Sequence, residues 1–290
     1  MPGPLHFEAP TALQYFAALV ADDATFAVVE AAIAVAQDAD PDLDPLAVVS
    51  QIDLLADRLR RRLPADAVPL QKLRLLNRYF FQELGFAGNV NDYYDPRNSY
   101  LPEVLSTRRG IPITLALLYA ELAAQIGLDA AGVSFPGHFL VKLRMPRGEV
   151  IIDPFSGQSL SREELDERLL PYLRQQGLVG DFEAPLGLFL QAAPPRDVIA
   201  RLLRNLKEIH RSAGDLPRQL AVLERLVILL PQDWQERRDR GLVFADLGDS
   251  NQAADDLRVY LRHCPDADDA EALGERLRAW RASARRPRLH

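Results

Sequence analysis

The stretch Arg108-Arg109-Gly110-Ile111-Pro112-Ile113-Thr114 opens an apolar helix that runs to about Leu128. Two further segments follow it, Val133-Ser134-Phe135-Pro136-Gly137-His138-Phe139-Leu140-Val141 and Val150-Ile151-Ile152-Asp153-Pro154. Their β-branched content and alternation predict short strands over Val133 to Leu143 and Glu149 to Asp153, turned at Met145-Pro146-Arg147-Gly148-Glu149. A helix N-terminus followed in chain order by a histidine and then an aspartate on neighbouring strands is the layout of a Cys-His-Asp thiol triad. The cysteine is missing, and Pro112 stands where it would sit.

This layout resembles the core of the transglutaminase-like superfamily, in which Gly-x-Cys opens the helix, a His starts the next strand and an Asp-Pro closes another. Gly110, His138 and Asp153-Pro154 match that pattern. More narrowly, three linked motifs resemble the SirB1 family, which joins a transglutaminase-like domain to tetratricopeptide repeats. They are Tyr93-Tyr94-Asp95-Pro96-Arg97-Asn98-Ser99-Tyr100-Leu101, Arg108 to Ile113, and Pro136-Gly137-His138-Phe139-Leu140. The resemblance implies an α+β fold, a degenerate transglutaminase-like (papain-like) core with an α-helical N-terminal layer, followed by an all-α repeat domain. It fixes architecture better than function, because it brings no established activity with it.

Composition sets wide bounds. A chain of 290 residues with 48% hydrophobic content can bury a substantial core. Its single cysteine, Cys264, cannot form an internal disulfide, and the opening Met-Pro-Gly-Pro-Leu-His lacks the basic and apolar regions of a signal peptide. No apolar run reaches the roughly twenty residues of a membrane span. These features lead to an expected cytoplasmic location without membrane association. The net charge of −7 argues against non-specific nucleic-acid binding, although Arg276, Arg278, Arg281, Arg285, Arg286 and Arg288 make the C-terminal end basic, which reads as a solvated helical face.

Along the chain, apolar spacing predicts two helices within Thr11 to Gln37 broken near Ala21-Asp22-Asp23, a helix over Leu46 to Leu63, and another entered at Pro69 and stopped by Gly85. Residues 86–107 are polar and turn-rich; Asp95 before Pro96 reads as a turn former. From about Asp197 the pattern is helical and repeats with a period of 34 residues, from Gly214 to Gly248 and from Pro231 to Pro265. That period is the tetratricopeptide signature, since each helix pair must bury its apolar side against the next. The expected domains are 1–190, helical front and transglutaminase-like core, and 197–285, two repeats with a capping helix.

The candidate site is a remnant catalytic pair, His138 and Asp153, with Asn98, Ser99, Arg108, Arg109 and Pro112 as pocket residues. Thr114 lies about 200° around the helix from the thiol position. Ser134, read as lying on the same strand as His138, would be roughly 13 Å from it. Neither is a convincing hydroxyl substitute. The histidines are scattered without ligand spacing and no phosphate or dinucleotide motif occurs, so no metal and no cofactor are expected. Two functions follow. One is a non-catalytic module that binds a protein or peptide through pocket and repeats. The alternative is a cysteine-less hydrolase or transferase using the His-Asp pair as general base on water.

Overall fold

A computed structural model describes residues 10–178 and 185–284. The chain divides into two compact bodies, one of residues 22–202 and one of residues 1–21 with 203–290. The N-terminal helix α1 (Ala12–Leu19), opened by a Thr11/Gln14 capping box, therefore groups with the repeats.

The larger body begins with α2 (Val28–Val35), α3 (Pro45–Arg60) and α4 (Pro69–Asn77). Asp44 caps α3 by accepting from the Leu46 amide, with Pro45 in the first turn, where its missing N–H costs nothing. The α4 helix widens into a π-helical turn over Arg78–Glu83 before Gly85 ends it at φ +74°. Next come β1 (Ala87–Gly88), α5 (Leu101–Thr107), β2 (Arg109–Gly110) and α6 (Pro112–Gln125). The α6 helix is buried on nearly every side because α2, α3, α4 and α5 surround it together with β3 (Asp129–Val133) and β4 (Leu140–Met145). Strands β3, β4, β5 (Gly148–Asp153) and β6 (Gln158–Leu160) form an antiparallel meander in that order. It is completed by α7 (Arg162–Gln175), capped by Ser161 and Glu164, and α8 (Leu186–Phe189).

One sequence expectation is corrected here. Val133 to Leu143 is not one strand: Val133 ends β3, Leu140 starts β4, and the two are paired across the loop 134–139. Pro136-Gly137 makes that reversal, with Gly137 at φ +70° and the His138 amide donating to the Phe135 carbonyl. Ser134 and His138 thus lie on opposite arms of a loop, and the extended-strand separation does not apply. Period-2 alternation continues through the tight turn, which is why the sequence hid it.

The helix α9 (Pro195–Ala213) is divided between the two bodies at Leu202/Leu203. In the smaller body it is followed by α10 (Leu216–Leu229), α11 (Trp234–Asp246), α12 (Ser250–His263) and α13 (Ala270–Ala284). Gly214 and Gly248 occupy equivalent positions, at φ +68° and +88° between α9 and α10 and between α11 and α12. Each precedes an aspartate, Asp215 or Asp249, that caps the next helix. The apolar seam between α12 and α13 holds Leu257, Tyr260, Leu273 and Leu277, and α1 seats Phe16 beneath the guanidinium of Arg225. Of the basic C-terminal end, Arg285, Arg286 and Arg288 lie outside the described residues.

Candidate functional site: a histidine-aspartate pair

His138 sits in the loop between β3 and β4, and Asp153 ends β5, which pairs with β4 through Val141 and Ile152. The register brings the two side chains together: His138 Nε2 lies 2.8 Å from Asp153 Oδ1. Asp153 is almost fully buried and accepts two further bonds, from the Phe155 amide at 2.9 Å and from Arg168 of α7 at 3.1 Å. Burial alone would raise its pKa, but the bonds from His138, Arg168 and the Phe155 amide outweigh it and hold the carboxyl well below the usual range. An ionised carboxylate can only accept, so Nε2 carries the proton and Nδ1 is the ring nitrogen left for a ligand or a reacting proton.

The loop carrying His138 is held by a residue far along the chain. Arg201 of α9 donates to the Ser134 hydroxyl at 2.6 Å, to the Phe135 carbonyl at 3.4 Å and to the His138 carbonyl at 2.8 Å. Its guanidinium also packs over the Phe139 ring. Burial lowers the pKa of Arg201 and Tyr93 opposes that shift; the group stays a cation because arginine starts so high. Nothing local in the sequence points to Arg201, because it stands 63 residues from His138. Arg168, 15 residues from Asp153, lies on a helix dense in charge, where a single arginine carries no distinguishing signal.

Asp153 is fixed from below by two close approaches to glycine. The Phe155 ring lies over Gly88, where a Cβ would come within 2.3 Å of it, and the Phe81 ring of the π-helical turn lies over Gly157. Gly88 donates its amide to the Phe155 carbonyl and pairs in parallel with Gly110, two residues before Pro112. The start of α6 is therefore tied to the end of β5 through β1 and β2. An aromatic rim adjoins the pair, with Phe155 at 6.4 Å from the His138 ring, Tyr93 at 6.0 Å from Phe155, and Tyr94 edge-on to Tyr93.

The remaining expected site residues separate into two groups. Asn98 is buried and donates to the Asp92 and Tyr93 carbonyls while accepting from Asn89, so it braces the Tyr93 loop. Its own carbonyl accepts from the Thr114 hydroxyl at 2.8 Å, in the first turn of α6. Ser99 is fully buried and its hydroxyl has no partner among the described residues. Pro112 is buried at the start of α6. Arg108 and Arg109, by contrast, make their contacts elsewhere: Arg108 over the Phe86 ring and Arg109 at the Gly85 carbonyl. Among the described residues no group of His, Cys, Asp and Glu is arranged to hold a metal ion, and no helix is long and apolar enough to cross a membrane.

A buried helix N-terminus, a meander and a histidine-aspartate pair at its loop and strand ends define a transglutaminase-like domain, here joined to helical repeats. Residues 46–204 match the transglutaminase-like superfamily and residues 206–278 match the tetratricopeptide repeat. The chain is 38% identical to a UPF0162 protein of Xylella fastidiosa (strain 9a5c) over 87% of this chain and 89% of that relative. It is 31% identical to the UPF0162 protein PA3419 of Pseudomonas aeruginosa over 87% and 90%, and 28% identical to the UPF0162 protein YchA of Escherichia coli (strain K12) over 79% and 80%. The chain belongs to the UPF0162 family of transglutaminase-like proteins.

Proposed function

We propose that this is a non-catalytic transglutaminase-like protein that binds a protein or peptide at the His138–Asp153 site and recruits a partner through its repeats. Within the superfamily we place it with the SirB1 proteins, on the three motifs around Asn98, Gly110 and His138, and we place it in the cytoplasm. The observation that carries the reading is chemical. Acyl transfer needs a nucleophile beside the imidazole, and position 112 holds proline. Of the hydroxyls, Thr114 donates to the Asn98 and Ile111 carbonyls, Ser134 accepts from Arg201, and Ser99 is fully buried. What remains is an oriented imidazole beside an exposed aromatic rim, features suited to holding a peptide.

A second reading rests on the tautomer. With Nε2–H directed at an ionised Asp153, Nδ1 has the lone pair that a general base needs for activating water. Pulldown with the wild type and with His138→Ala, followed by identification of what each retains, tests the binding reading. Loss of a partner in the variant alone supports a role for the site in binding, and equal recovery moves the function to the repeats. Hydrolysis or transfer of a substrate by the wild type, lost in His138→Ala, supports the second reading.

A further inference from the structure

Arg108 and Arg109 lead away from the His-Asp pair to a different surface. The last turn of α3 carries Arg58, Arg62 follows the end of that helix, the π-helical turn begins with Arg78, and Arg108 closes α5 in a left-handed conformation at φ +61°. Arg62 packs over the Tyr79 ring at 5.2 Å, and Arg108 packs over the Phe86 ring at 4.7 Å. Burial raises the pKa of the Tyr79 hydroxyl, and the charges of Arg58, Arg62 and Arg108 oppose that shift. Arg109 adds its guanidinium at the Gly85 carbonyl.

The anion held in this cluster is Glu83. Its two carboxylate oxygens are divided between Arg62 and Arg78, which leaves Arg58, Arg108 and Arg109 without a carboxylate from it in a chain whose net charge is −7. Arg108 gains no carboxylate, and its Nη1 is buried without a hydrogen-bond partner. Arginines at the end of a helix favour its dipole, which accounts for Arg58 and Arg108 but not for Arg78, where the helix runs on, or for Arg109 in β2. A left-handed non-glycine backbone and an unpaired buried donor both cost free energy, which the cation–π contact of Arg108 with Phe86 offsets in part.

We propose that this arginine cluster is a docking surface for an acidic segment of a partner protein. Glu83 is the precedent within the surface for what it binds, one carboxylate shared by two guanidinium forks. Leu54, one turn before Arg58 on the same face of α3, is 56% exposed and gives the segment an apolar contact. Nucleic acid fits less well. The exposed aromatic side chains of the described residues, Tyr93, Tyr94 and Tyr172, are not in the cluster, so it offers no ring on which a base would stack.

Anisotropy of a fluorescein-labelled oligoglutamate peptide with interspersed leucines, titrated with the full chain, tests the proposal against labelled oligo-dT and phosphatidylserine vesicles. The wild type is expected to bind the peptide in preference to both, with an affinity that falls as salt rises. Arg58→Gln/Arg78→Gln, two exposed positions, is expected to lower that affinity about tenfold. Its circular dichroism and Tm should match the wild type. Arg276→Gln/Arg278→Gln on α13 is the control and should leave binding unchanged. No binding by the wild type, equal losses in both double variants, or tighter binding of oligo-dT or vesicles would each overturn it.

Discussion

His138 donates from Nε2 to Oδ1 of Asp153 across 2.8 Å, and the same carboxylate also accepts from Arg168 and from the Phe155 amide. The pair is thus part of a network with four members centred on the buried Asp153, and its charge state decides whether the network holds together.

Asp153→Asn tests that charge. The carboxyl titrates below its unfolded value, so its contribution to stability is fully present above pH ~4 and is lost as the pH falls from there towards the folded pKa. At neutral pH the substitution should cost about 3 kcal/mol, since Arg168 and His138 lose a buried anionic partner. Urea unfolding of both proteins from pH 7 down into the acid range should show a shallower pH dependence for the variant.

Arg201→Gln should release the His138 loop. A glutamine cannot donate to the Ser134 hydroxyl and to the Phe135 and His138 carbonyls together. A loss of about 2 kcal/mol is expected from the unsatisfied oxygens. Hydrogen exchange is the sharper readout: the His138 amide, bonded to Phe135, should exchange faster while amides in the middle of α6 keep their protection.

Gly88→Ala should be destabilising by roughly 2 kcal/mol, because the new methyl meets the edge of the Phe155 ring and that ring must move. Phe155→Ala removes the obstacle. Thermal unfolding of the double variant should therefore show less loss than the two single changes added together.

The repeats, the buried α6 and the pairing of His138 with Asp153 were legible in the sequence because each rests on a short period or a short separation. The 34-residue recurrence of Gly214 and Gly248 translates directly into two equivalent left-handed turns. The loop at Pro136-Gly137 was hidden by alternation that continues on both sides of it. Arg201 was hidden by distance, 63 residues from His138, whereas Arg168, 15 residues from Asp153 on the charged helix α7, reads as one more solvated arginine. Arg108 and Arg109 were expected among the pocket residues; α5 ends at a left-handed Arg108, and their guanidinium groups reach Phe86 and Gly85. Helix α1 was expected in the helical front and groups with the repeats.

The central claim, a transglutaminase-like site whose nucleophile has been replaced by Pro112, is tested most directly by putting a thiol back. In a Cys264→Ser background the variant Pro112→Cys carries a single cysteine, and its alkylation rate by iodoacetamide reports the neighbourhood of that sulfur. The predicted result is faster alkylation than in the same protein with His138→Ala, because the imidazole accepts the thiol proton. Equal rates in the two proteins, or thiol-dependent transamidation by the wild type, would contradict it.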